Sequence, residues 1–89
     1  MLLNLNTIER VKRFSEIVLK YECDIDAIRG RYVIDAKSII GLFTLDISKP
    51  VEIHIHSTDK EVLEQFNKDM EEFLCEDGGL EDESILSRW

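Results

Sequence analysis

Eighty-nine residues suffice for one domain with one modest core, and an apolar fraction of 44 % argues against wholesale disorder. Nineteen acidic residues against eleven basic ones leave a net charge of −8, which argues against a nucleic-acid or anionic-membrane ligand, because neutralising phosphate takes Lys and Arg. No apolar run approaches the roughly 20 residues that span a bilayer, MLLNLN is too short for a signal-peptide core, and Cys23 and Cys75 fit no Cys-x-x-Cys pattern, so a cytoplasmic protein is expected.

Along the chain, LLNLN alternates loosely and reads as a short strand. In NTIERVKRFSEIVLKY, Ile8, Val11, Phe14, Ile17, Val18 and Tyr21 recur at helical spacing, with Asn6 or Thr7 as the N-cap. DIDAIRGRYVID predicts a hairpin, Ile25 and Ala27 against Tyr32 and Ile34, across a turn at Arg29-Gly30-Arg31. The next stretch, DAKSIIGLFTLDIS, packs Ile39, Ile40, Leu42, Phe43 and Leu45 behind Ser38, a natural cap for a helix of about two turns. At i, i+1 and i+4, Ile39, Ile40 and Phe43 form one stripe, while Leu42 and Leu45 fall on another side.

Pro50 can open a strand without losing a ladder donor, and VEIHIH then alternates, Val51, Ile53 and Ile55 inward, Glu52, His54 and His56 outward. STDKEVLEQFNKDMEEFLCEDGG predicts a helix with Thr58 and Glu61 as a capping box. Its stripe is Val62, Leu63, Phe66, Met70, Phe73 and Leu74, and Gly78 is its stop. Residues 77–89 lack periodicity and carry most of the C-terminal acidity, so a flexible tail is expected after a domain spanning 1–76. The resulting βαββαβα order implies an α+β fold: a four-stranded antiparallel sheet with three helices on one face.

That order, with Lys37, Ser38, Ile39, Ile40 and Gly41 in sequence, resembles the histidine-containing phosphocarrier protein family, HPr, of the sugar phosphotransferase system. The resemblance covers roughly residues 1 to 76 and rests mainly on this Lys-Ser-Ile-x-Gly stretch, on Cys23 to Ile25 at the start of strand two, and on the element order. It implies an open-faced β-sandwich, a regulatory serine at Ser38, and a partner-docking surface at Ile39, Ile40 and Phe43. It also implies a phosphoacceptor histidine capping the first helix, and here the chain departs from the family: that position holds Thr7, and the arginine two residues on is replaced by Glu9. A phosphohistidine carrier needs an imidazole nucleophile and donors for the phosphate, and Glu9 repels phosphate.

Thr7 therefore reads as a helix cap. Ser38 reads as a cap and as a candidate for regulatory phosphorylation, since a helix N-terminus tolerates added negative charge. His54 and His56 present two imidazoles on one strand face, but two ligands do not make a zinc site, so no metal is expected. The expectation is a non-enzymatic, cofactor-free HPr-like module. It docks a protein partner of the phosphotransferase system or of carbon regulation through Ser38–Phe43, without nucleic acid and without membrane insertion. The alternatives are a phosphocarrier with a non-standard acceptor, Thr7 or an outer-face histidine, and a small-ligand or metal-binding sensory domain on the sheet face around His54 and His56.

Overall fold

A computed structural model describes residues 1–75; the segment expected to form an acidic tail, and Gly78, lie outside the described residues. In chain order the elements are β1 (Leu2–Leu3), α1 (Ile8–Val18), β2 (Ile25–Arg29), β3 (Tyr32–Asp35), α2 (Ile39–Phe43), β4 (Val51–Ile55) and α3 (Lys60–Met70), followed by a 3-10 turn at Glu71–Phe73. The strands form one antiparallel sheet in the order β1-β4-β2-β3, so the fold is α+β, with three α-helices among the described residues.

Strand alternation builds the core. Leu3, Ile25, Ala27, Val51 and Ile53 point to one sheet face and are fully or almost fully buried. They meet Val11, Phe14 and Val18 of α1, Leu42 of α2, and Phe66 and Met70 of α3 in a single cluster. The side chains between them along the strands face away from that cluster, Glu52 and His54 exposed and Asp26 half-buried. Edge-to-face ring pairs tighten the core, Phe14 with Phe73 at 5.9 Å and Tyr21 with Phe66 at 5.3 Å between centroids.

The hairpin turn is tighter than expected. Arg29 belongs to β2 and pairs with Tyr32, leaving only Gly30 and Arg31 in the turn. Gly30 has φ +63°, the conformation that a two-residue hairpin demands at its first turn position and that glycine adopts without a Cβ penalty. Tyr32 thus lies opposite Arg29, Ile34 opposite Ala27, and Ile25 opposite Ala36, whose N–H donates to the Ile25 carbonyl at 2.8 Å.

Expectations for both long helices are corrected. Ile8 is not core; it stands 62 % exposed on the first turn of α1, and the helix ends at Val18 rather than reaching Tyr21. The cap of α3 is Asp59 rather than Thr58: its carboxylate accepts from the Glu61 N–H at 2.9 Å, and Ser57 Oγ in turn accepts from the Asp59 N–H. The α-helix stops at Met70, well before Gly78, because the chain tightens into the 3-10 turn and then extends to make an antiparallel bridge from Leu74 to Leu3. Leu74 is therefore exposed rather than part of the α3 stripe.

Arg10 holds that junction. Its Nε donates to the Asn4 carbonyl at 2.8 Å and a terminal nitrogen donates to the Glu72 carbonyl at 3.0 Å, with the guanidinium 5.5 Å from the Phe73 ring centroid. Arg13 pairs with the Glu72 carboxylate. Arg10 and Arg13 of α1 thus both engage Glu72.

Candidate functional site

The segment from Lys37 to Leu45 is built by local chemistry at its start and by packing at its middle. Asp35 Oδ1 accepts from the Lys37 N–H, and the Asp35 carbonyl accepts from the Ser38 N–H, which turns the chain out of β3. Ser38 then caps α2, its Oγ accepting from the Gly41 N–H at 3.1 Å in extended backbone geometry. Lys37 reaches back to donate from Nζ to the Tyr21 carbonyl at 2.6 Å, tying the start of α2 to the end of α1. Tyr21 is itself anchored: its hydroxyl donates to Asp69 Oδ2 at 2.6 Å, and burial, then that bond and the carboxylate's charge, push the phenol pKa well above its usual value.

Gly41 explains itself by contact. A β-carbon at this position would lie 2.6 Å from Ile34 Cγ2 and 3.1 Å from Ser38 Oγ, so the missing side chain is what lets α2 sit on β3. Close seating divides the apolar residues of α2 into two sets. Leu42 is fully buried and Leu45 nearly so, while Ile40 is 77 % and Phe43 43 % exposed. Ile39 lies between the sets, half-buried against the core.

Thr7 caps α1, its Oγ1 accepting from the Arg10 N–H at 3.1 Å. No histidine stands beside it. His54 and His56 lie on the sheet face turned away from the helices, their rings stacked with centroids 4.8 Å apart, and His56 Nε2 is 2.7 Å from Asp26 Oδ2. Among the described residues no group of three or more His, Cys, Asp or Glu side chains is placed to hold a metal ion. No described helix is long and apolar enough to cross a membrane.

Two features escaped the sequence. One is Ile8, whose exposure adds an apolar side chain beside the Thr7 cap; the i, i+3 spacing with Val11 put it in the helix stripe and gave no sign that the first turn overhangs the core. The other is an open groove of about 540 Å³ between the β2–β3 turn and the end of α2, lined by Arg29, Tyr32, Thr44, Leu45 and Asp46. Arg29 Nε is buried and has no hydrogen-bond partner among the described residues. No family model matches the chain, and neither a curated protein nor a solved structure matches it.

Proposed function

We propose that this chain is an HPr-like docking module that binds a protein partner through the Ser38–Phe43 segment and does not relay phosphate. The observation that carries the reading is the division of α2: a helix whose Leu42 is wholly buried presents Ile40 and Phe43 to solvent. Exposed apolar side chains grouped on one short element cost solvation free energy that a partner recovers. Two further observations support it. The element order matches the one the resemblance implies, and α1 and α2 are neighbours, so that Ile8 and the α2 side chains belong to the same layer. The absence of carrier chemistry rests on Thr7, a hydroxyl already used as a cap, with Glu9 two residues on. Phosphate on Ser38 would set about two negative charges beside Ile39 and Ile40 and modulate docking.

The test uses the first enzyme of the sugar phosphotransferase system, purified, as the candidate partner. Incubated with that enzyme and phosphoenolpyruvate, the chain should take up no acid-labile phosphate. Calorimetric titration should nonetheless detect binding, and Ile40→Asp or Phe43→Asp should weaken it by about tenfold or more, the behaviour of apolar anchors at an interface. Stable phosphorylation with onward transfer would overturn the reading, and so would binding indifferent to both substitutions.

A further inference from the structure

The two edges of the sheet are treated differently. At the β1 edge the chain after α3 returns: Leu74 bridges to Leu3, and the Asn4 N–H donates to the Phe73 carbonyl at 2.7 Å. At the other edge β3 pairs only with β2 among the described residues. Edge strands usually carry a lysine, a proline, a bulge or an inward charge that blocks further pairing. β3, Tyr32–Asp35, has no lysine, proline or bulge, and its one charge is Asp35 at the C-terminal end; Tyr32 is 65 % and Val33 61 % exposed.

Parity fixes which backbone groups face outward. Arg29 and Tyr32 flank the two-residue turn and Ala36 N–H bonds Ile25 O, so residue pairs 29/32, 27/34 and 25/36 are the hydrogen-bonded ones. Val33 falls between them. Its N–H and C=O point away from β2 to the open edge, as does the N–H of Asp35, whose C=O is taken by the Ser38 N–H.

We propose that this edge pairs with the same edge of a second copy of the chain, antiparallel and centred on Val33. The segment Arg31-Tyr32-Val33-Ile34-Asp35 is self-complementary in that register. Val33 meets Val33 and exchanges both free backbone hydrogen bonds with it; Tyr32 meets Ile34 on the helix side; Arg31 meets Asp35 on either flank. Opposite charges across both ends choose this register over its neighbours, because a slip of one residue also turns every side chain to the wrong face. Both residues are exposed, and among the described residues neither is in an ion pair with another side chain. The product is a continuous eight-stranded sheet whose far edges are the ones closed by Leu74. A single strand pair falls below the roughly 1,200 Å² of a standard interface, so the dimer is weak and fills toward about 1 mM chain.

Sedimentation equilibrium of the full chain up to about 1 mM, in about 0.15 M salt so that repulsion between two acidic chains is screened beyond roughly 8 Å, reads the dimer directly. Val33→Pro removes an N–H that the hairpin does not use, so it should keep the native circular dichroism and lose the dimer. Arg31→Asp and Asp35→Arg should each weaken self-association about tenfold, and an equimolar mixture of the two should restore it, because every flank then faces its opposite. A chain that stays monomeric throughout, a dimer untouched by Val33→Pro, or a mixture no tighter than its components would each overturn the proposal. Should Val33→Pro fail to fold, the charge arms decide.

Discussion

Gly41 and Ile34 are in such close contact that a β-carbon on residue 41 would come within 2.6 Å of Ile34 Cγ2. Substituting Gly41→Ala sets two effects against each other. Alanine favours a helix over glycine by about 1 kcal/mol, whereas overpacking of this kind costs about 1–3 kcal/mol. The obstructing methyl belongs to a branched, half-buried side chain held in a strand, which has little room to yield, so net destabilisation is expected in urea unfolding. Against an Ile34→Ala background the same change should become neutral or stabilising. An unchanged penalty there would separate Gly41 from Ile34.

The caps at Ser38 and Asp59 bear on different inferences. Ser38→Ala should cost about 1 kcal/mol by urea unfolding, and Ser38→Asp should cost much less, since aspartate caps equally well and carries favourable charge at a helix start. That tolerance is the structural condition for phosphorylation at this residue. Asp59→Ala should likewise cost about 1 kcal/mol while Thr58→Ala stays within about 0.5 kcal/mol. The reverse order would return the cap of α3 to Thr58.

What the sequence disclosed and what it concealed divide by distance along the chain. The cap at Ser38, the cap of α1 as one of two candidates, Asn6 or Thr7, and the turn around Gly30 were legible because each depends on a bond or a dihedral within three residues. Thr58 and Asp59 are adjacent and both suited to capping, so pattern alone chose the wrong one. The end of α3 was illegible for a different reason: Leu74 leaves the helix for a bridge to Leu3, some seventy positions earlier. Strand order and the exposure of Ile8 and Tyr32 are likewise set by where the helices stop covering the sheet, which no local period encodes. For the candidate site, the split between Leu42 and Ile40 followed from helical geometry, whereas the half-burial of Ile39 and the Arg29 groove depend on β2, β3 and α2 meeting in space.

Tyr21 gives the fold an alkaline limit. The folded phenol holds its proton more tightly than an unfolded tyrosine, chiefly through burial and then through the Asp69 hydrogen bond and charge. A raised folded pKa contributes stability that is complete below the unfolded value of 10.0 and is lost as pH rises beyond it. Melting temperature should therefore fall more steeply above pH 10.0 in the native chain than in Tyr21→Phe. At neutral pH that substitution should cost about 1 kcal/mol for the lost bond. Parallel alkaline limbs in the two proteins would dismiss Tyr21 as the source.

The division of α2 predicts opposite responses from neighbouring residues. Leu42 is fully buried among core side chains, so Leu42→Ala should cost about 2–5 kcal/mol, the transfer term plus whatever cavity remains. Ile40, two residues earlier, contributes little apolar burial, and Ile40→Asp places an acid in the second helical position, where the dipole favours it. It should unfold within about 0.5 kcal/mol of the native chain. Phe43→Asp should cost somewhat more, because that ring is partly covered and an acid near the last turn opposes the dipole. Equilibrium unfolding of the three variants separates core from surface independently of any partner. If Ile40→Asp proved as damaging as Leu42→Ala, Ile40 would be packing material, and no surface would remain there for docking.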